Sequence, residues 1–171
     1  MKLIELKNIT KGFASIDFGD IDMTAVLKEG KLDLVQGKTF RWNRDTGNAV
    51  SDCPFYIGAM PVFDTEKIQG ILSSINVASA EFIVEGRSYT IIGAPHFPGD
   101  VINREKSEMR TFKTGKIMNV KKYVFIPDFD YPQIFTPSEF VMETFCKKET
   151  IQLLLSCRFN QLQFVECDVE L

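Results

Sequence analysis

The segment Glu81–Ile92, with the sequence EFIVEGRSYTII, carries the clearest strand pattern of the chain. Two runs of β-branched and aromatic residues lie on either side of a Glu-Gly pair, which is typical of a β-hairpin. Because side chains alternate between the two faces of a strand, we expect Phe82 and Val84 to share one face with Tyr89 of the returning strand. The segment therefore predicts two antiparallel strands with one buried face.

Further strands are predicted on both sides of this hairpin. Residues 3–6 (LIEL) and 31–35 (KLDLV) alternate apolar and polar side chains, so each should place one face on a core and one in water. Residues 116–126 (KIMNVKKYVFI) predict one long strand that ends at Pro127. Residues 162–167 (LQFVEC) predict a final strand.

Two segments carry the spacing of apolar side chains that is typical of helices. The apolar residues between Ile68 and Ile75 recur at three- and four-residue intervals, and they predict a helix over residues 65–75. Asp64 precedes this helix and is suited to cap its first turn. Residues 151–158 show the same spacing and predict helical structure near the C-terminus.

The sharpest local signal for a helix start is the sequence TPSE at residues 136–139. Thr136 is suited to the N-cap, a proline follows at the first helical position, and a glutamate lies three residues after the cap. Together these residues form a capping box. They predict a helix over residues 137–147, with Phe145 among the side chains that face inward.

This mixture of strands and helices predicts an α+β fold, with a largely antiparallel β-sheet and two or three helices. The chain has no internal repeat, linker or block of charge, so we expect a single domain over residues 1–171. A β-rich subdomain over residues 1–60, followed by an α+β subdomain over residues 61–171, remains the alternative. A chain of this length can bury a core without disulfide bonds or metal.

The composition argues against several classes of protein. Twenty Lys and Arg stand against 23 Asp and Glu, giving a net charge of −3 and none of the cationic excess on which general nucleic-acid binding depends. No stretch approaches the roughly 20 apolar residues of a membrane span, and the first residues carry charges where a signal peptide would be apolar. We therefore expect a cytoplasmic protein that binds neither nucleic acid nor membrane.

Catalytic and metal-binding motifs are missing from the sequence. There is no Gly-rich phosphate loop, no GxSxG elbow and no HExxH zinc motif. The four cysteines lack CxxC spacing and are predicted to be buried thiols, and a single histidine, His96, cannot build a multi-histidine site. We expect no enzymatic activity, no metal and no cofactor; a small enzyme that uses a loop carboxylate is a weaker alternative.

Two segments contain residue types that dominate protein–protein interfaces. Residues 40–44 (FRWNR) combine a tryptophan with two arginines beside a Gly-Asn turn, and residues 128–131 (DFDY) follow a proline in a predicted surface loop. A core tryptophan between solvated arginines, and an ordinary aspartate turn, are the plainer interpretations. The residues predicted to contact a partner are Arg41, Trp42, Arg44, Asp128, Asp130 and Tyr131.

The order of segments from Pro61 to Leu171, about two thirds of the chain, carries a resemblance. PVF at 61–63 leads into the amphipathic helix, and the hairpin with GRSY follows at 86–89. The later segments are DVINREKSE at 100–108, the strand at 116–126, QIF at 133–135 and LQFVE at 162–166. This order resembles an immunity-protein family of bacterial polymorphic toxin systems, the one numbered eleven, and its relative numbered forty-three.

The resemblance implies a cytoplasmic bacterial protein that binds and neutralises a cognate toxin. The family has no catalytic motif, so it transfers no functional residue to this sequence. If the toxin is basic, the acidic character of the chain would speed association through long-range attraction. The alternative function is a structural or accessory component of a phage or secretion apparatus.

Overall fold

The computed structural model describes residues 2–57, 60–97, 100–138, 140 and 143–170. Strands and helices alternate irregularly along these residues, and the α+β fold class is confirmed. The described helices are α1 (Met23–Glu29), α2 (Thr65–Ile68), α3 (Leu72–Ile75) and α4 (Lys148–Ser156), with a 3-10 turn at Leu32–Leu34. None of them is long and apolar enough to cross a membrane.

Fifteen strands are present in the described part of the chain. They are β1 (Leu3–Asn8), β2 (Gly12–Phe13), β3 (Ser15–Asp17), β4 (Thr39–Asn43), β5 (Gly47–Ala49), β6 (Val62–Asp64), β7 (Ala78–Val84), β8 (Arg87–Gly93), β9 (His96–Phe97), β10 (Glu108–Thr111), β11 (Ile117–Lys122), β12 (Val124–Phe125), β13 (Ile134–Pro137), β14 (Thr144–Lys147) and β15 (Leu162–Val169).

The strands form two larger sheets and two short ribbons. The six-stranded sheet has the order β12-β15-β1-β14-β13-β9, and the five-stranded sheet has the order β3-β4-β7-β8-β6. The ribbons are β10-β11 and β2-β5. Because β1 pairs with β14 and β15, and β4 pairs with β7, strand pairing crosses residue 60 in both sheets.

The hairpin expected at residues 81–92 is confirmed as β7 and β8. Phe82 lies opposite Tyr89, and both side chains are buried together with Val84. The turn residues Glu85 and Gly86 have φ angles of 47° and 86°. Positive φ at both central residues is the geometry of a type I′ turn, whose twist matches that of the flanking strands.

Three buried clusters form the interior, and the six-stranded sheet lies between two of them. The first core joins α1 to the five-stranded sheet, and it includes Val26, Trp42, Phe82 and Tyr89. The second core joins α2, α3 and α4 to one face of the six-stranded sheet, and it includes Ile4, Leu6, Ile68 and Leu154. The third core covers the other face, and it includes Leu3, Phe125, Tyr131, Phe135 and Phe145.

The predicted helix over residues 137–147 is wrong. Thr136 is buried in β13, where its backbone N–H donates to the carbonyl of Pro95 at 3.0 Å, and residues 144–147 form β14. The predicted capping box therefore does not form, and its glutamate, residue 139, lies outside the described residues. Pairing of β14 with β1 outweighs the local preference for a helix start, because it buries Phe145 in the sheet.

Other boundaries differ in smaller ways. The helix predicted at 65–75 is divided into α2 and α3, although Asp64 caps α2 as expected by accepting from the Lys67 N–H at 3.3 Å. The strand predicted at 116–126 divides at Tyr123, because β11 pairs with β10 whereas β12 pairs with β15. The strand predicted at 31–35 is instead a 3-10 turn. The predicted strands at 3–6 and 162–167 and the C-terminal helix are confirmed, the helix as α4, which begins and ends slightly before the predicted range.

All four cysteines are free thiols, as predicted. Cys53, Cys146 and Cys167 are buried, whereas Cys157 is partly exposed. Burial raises the pKa of Cys53 and that of Cys167 to about 12. These thiols are therefore protonated at neutral pH and contribute to packing as small apolar groups.

Two nearly buried aspartates connect α2 to more distant parts of the chain. Asp52 is 5% exposed, forms an ion pair with Lys67 of α2, and accepts the Asn160 backbone N–H at 3.1 Å. Asp64 caps α2 and forms an ion pair with Arg87 of β8. These charged hydrogen bonds join the loop before β6, the helix α2, the strand β8 and the turn before β15.

We expect Asp52→Ala to lower the free energy of unfolding by about 2 to 4 kcal/mol, because it leaves the Lys67 ammonium and the Asn160 N–H without their buried acceptor. Urea unfolding followed by circular dichroism measures this change. The exposed Asp45 is a matched control, and Asp45→Ala should stay within about 0.5 kcal/mol of wild type. Equal stability of the two variants would contradict a connecting role for Asp52.

Candidate partner interface

Arg41 and Trp42 occupy opposite faces of β4, and Arg44 lies in the turn that follows the strand. Trp42 is 6% exposed in the first core, with its ring edge-to-face against Tyr89 at a centroid distance of 5.5 Å. The expectation that Trp42 is accessible to a partner is therefore wrong. Alternation along the strand explains this result, because Arg41 points outward when Trp42 points inward.

Both arginines are exposed and form ion pairs within the chain. Arg41 Nε donates to Asp17 Oδ2 at 3.0 Å, across the pair of strands β3 and β4. Arg44 Nη2 donates to Glu85 Oε2 at 2.9 Å. The backbone N–H of Trp42 lowers the pKa of Glu85, and Arg44 lowers it further. Both arginines are accessible to solvent, but each charge is partly neutralised by an ion pair within the chain.

The loop at residues 128–131 also combines exposed charged residues with a buried aromatic residue. Asp128 and Asp130 are exposed, and Asp130 Oδ1 lies 3.4 Å from Lys147 Nζ. Tyr131 is 1% exposed in the third core and donates its hydroxyl proton to the Ile126 carbonyl at 2.5 Å. Burial raises the pKa of Tyr131 to about 12. The expectation that Tyr131 is accessible is wrong, because its ring closes an aromatic cluster.

The two predicted segments do not form one site. Trp42 belongs to the first core and Tyr131 to the third. An open groove of about 520 Å³ lies beside Arg41, and its lining includes Phe18, Asp20 and Phe40. Arg41 and the acidic segment at residues 17–20 both line this groove. The acidic loop at residues 128–130 does not line it.

The ribbon formed by β10 and β11 is a surface feature that the sequence analysis missed. Its turn is well defined, because Phe112 N–H donates to the Lys116 carbonyl at 2.8 Å and Gly115 N–H donates to the Phe112 carbonyl at 2.9 Å. Gly115 has a φ of 80°, which completes a type I turn with a G1 bulge. On its inner side, Val120 belongs to the third core.

We call residues 108–122 the basic hairpin. They contain five cations and one carboxylate, a net charge of +4 in a chain whose net charge is −3. Phe112 and Met118 are each 52% exposed. Lys122 forms an ion pair with Asp168 at 2.7 Å, whereas no described residue forms one with the remaining cations, Arg110, Lys113, Lys116 and Lys121.

A signal for this hairpin is present in the sequence. Thr114 and Gly115 form a turn pair between a run of mixed apolar and polar residues and the run that begins at Ile117. The prediction of one strand over residues 116–126 concealed this hairpin, because no partner strand was predicted over residues 108–115. The local density of lysines is hidden in the net charge of the whole chain, because carboxylates elsewhere cancel it.

In the described part of the chain, no group of three or more His, Cys, Asp and Glu side chains could hold a metal ion. His96 lines a mostly apolar cavity of about 320 Å³ between α1 and the ends of β8 and β13, and its Nε2 donates to the Leu27 carbonyl at 2.9 Å. The imidazole is therefore held by backbone.

A pair of carboxylates lies at the edge of the third core. Glu5 of β1 is nearly buried and lies 3.0 Å from Lys7 Nζ, and burial raises its pKa. Burial and the charge of Glu5 raise the pKa of Glu143 to about 7. No described residue forms a hydrogen bond with the buried Oε2 atom of Glu143.

Comparison with known proteins adds no family assignment. No protein-family model matches the chain, and no curated protein matches it. The surface chemistry of the chain and the order of its segments are therefore the observations that bear on its function.

We expect Trp42→Ala to cost about 3 to 5 kcal/mol of folding free energy, because it removes a large ring from the first core. Arg41→Ala should cost less than about 1 kcal/mol, since it breaks only an exposed ion pair. Chemical denaturation of the two variants tests this difference. A Trp42→Ala protein as stable as wild type would restore Trp42 as a surface residue.

The stability of the folded chain should fall as pH rises between about 4.5 and about 7. Glu143 has a raised pKa in the folded state, so that state binds its proton more tightly than the unfolded chain and loses this advantage as Glu143 ionises. Glu143→Gln should therefore flatten this part of the pH profile and raise the melting temperature at pH 8. Glu149→Gln, on the exposed side of α4, is the control for loss of one negative charge. An unchanged profile in Glu143→Gln would show that Glu143 ionises freely.

Proposed function

We propose that the chain is a non-enzymatic immunity protein, which binds a cognate bacterial toxin in the cytoplasm and neutralises it. The observation that carries this proposal is the basic hairpin, which exposes two large apolar side chains and four cations that form no ion pair with any described residue. Such a surface is suited to recognising another macromolecule and has no reacting group of its own. A protein that inhibits a toxin by covering part of its surface needs a contact surface of this kind.

The exposed apolar side chains support protein recognition. Phe112 and Met118 each leave half of their surface in water, although Val120 on the same ribbon is buried. Burying apolar area is worth about 25 cal/mol per Å², and aromatic and methionine side chains are enriched in protein interfaces. A partner that covers both side chains would gain this free energy.

The position of the hairpin within the chain also supports the proposal. The segment 104–108, which belongs to one of the stretches that carry the resemblance to immunity families, leads directly into the basic hairpin. Ser107 Oγ accepts the Val124 backbone N–H at 3.0 Å, and Lys106 pairs with Glu170 at 3.2 Å. These contacts fix the start of β10 against the six-stranded sheet. One of the segments that carry the resemblance therefore positions the surface that we propose for binding.

The test is coexpression with the toxin domain encoded beside its gene. We expect the chain to restore growth of cells that produce the toxin, and to copurify with it as a complex with a dissociation constant below about 1 μM. A toxin domain that is inactive by mutation is the control for expression load. Continued killing without a complex would contradict the proposal. Neighbouring genes for phage tail or secretion components, with which the chain copurifies, would favour the structural alternative.

A further inference from the structure

We infer that the basic hairpin inserts into an acidic face of the toxin, with Phe112 and Met118 filling an apolar socket inside a ring of carboxylates. This inference rests on the proposed function and adds the chemistry of the partner surface. It also gives the contact surface of the toxin a negative charge, whereas the net charge of the chain favours a basic toxin.

The charge of the hairpin is available to a partner. Among the described residues, none neutralises Arg110, Lys113, Lys116 or Lys121 through an ion pair. Lys113 and Lys116 lie in the turn directly after Phe112. Cations beside an exposed apolar side chain complement a socket whose rim is acidic, because opposite charges steer the encounter and apolar burial slows dissociation.

The hairpin is also organised before binding. The Phe112–Lys116 and Gly115–Phe112 hydrogen bonds close the turn, and Val120 anchors the ribbon in the third core. A preformed turn loses little conformational entropy on association, so more of the contact free energy contributes to affinity. Phe112 is therefore presented in a defined position.

A compact acidic patch fits this surface better than an extended polyanion. The residues outside the basic hairpin carry a net charge of −7, which follows from a total of −3 and a hairpin charge of +4. A membrane or a nucleic-acid strand would extend past the hairpin and meet this negative charge, whereas a protein patch can be limited to the hairpin. Phe112 is also the only aromatic residue of residues 108–122, and single-stranded nucleic acid is usually held by several stacked rings.

The test measures binding kinetics between the toxin domain and variants of the full chain. Lys113→Glu with Lys116→Glu should slow association at least roughly tenfold at low salt, with little effect at high salt. Phe112→Ser with Met118→Ser should speed dissociation roughly tenfold or more at both salt concentrations. Amide hydrogen exchange should show protection of residues 110–118 in the wild-type complex.

Matched controls separate these effects from general surface changes. Leu155→Ser removes an apolar side chain that is 51% exposed on α4, and Lys11→Glu with Lys148→Glu reverses two exposed cations elsewhere. Both controls should bind like wild type. Melting temperatures establish that the hairpin variants are folded.

The outcomes distinguish this inference from the proposed function. A wild-type complex whose kinetics do not change in the hairpin variants overturns the inference and leaves the function in place. Absence of any complex overturns both. In a further outcome, the hairpin is needed for binding to vesicles that contain phosphatidylglycerol, or to single-stranded oligonucleotides, but not for binding to the toxin. That outcome assigns the hairpin to another ligand and overturns the inference.

Discussion

The six-stranded sheet depends on the pairing of β1 with β14 and β15, strands from the opposite end of the chain. Leu3 packs in the third core, whereas Ile4 and Leu6 pack in the second, so this one strand contributes to both faces of the sheet. Contacts over such a sequence separation cost loop-closure entropy before they yield apolar burial. The arrangement of α2, α3 and α4 on one side, and of the aromatic cluster on the other, follows once β1 is in place.

This constraint explains which elements could be predicted from the sequence. The hairpin β7–β8 joins neighbouring segments, and its turn and alternating side chains are sufficient to specify it. The sequence of residues 136–139 matches the pattern of a capping box, but residues 144–147 pair with a strand more than 130 residues earlier. A local pattern contains no information about that partner, so the helix was predicted where the sheet requires β14.

The candidate site shows the same division between local and distant information. Trp42 and Tyr131 have the residue types of interface anchors, yet both rings are buried although the neighbouring Arg41 and Asp130 are exposed. Whether such a ring packs in a core or contacts a partner depends on what covers it, which composition does not reveal. The basic hairpin was predictable in part, because its turn residues and lysines are adjacent in sequence. Its exposure was not, since only the tertiary structure shows that Val120 is covered and that Met118 is not.

The residues that stabilise the fold and the exposed residues of the basic hairpin lie in different parts of this chain. The buried charges of Asp52 and Asp64 have partners, and the three cores hold most of the aromatic side chains. The cations of the basic hairpin lie where they stabilise little in the isolated chain, because exposed charges contribute at most about 1 kcal/mol each. The charged and apolar residues of a surface that adds little to folding stability can be substituted without loss of the fold. Phe112, Met118 and the lysines can therefore be replaced without loss of the fold, whereas Ser107 and Val120 are needed to anchor the ribbon.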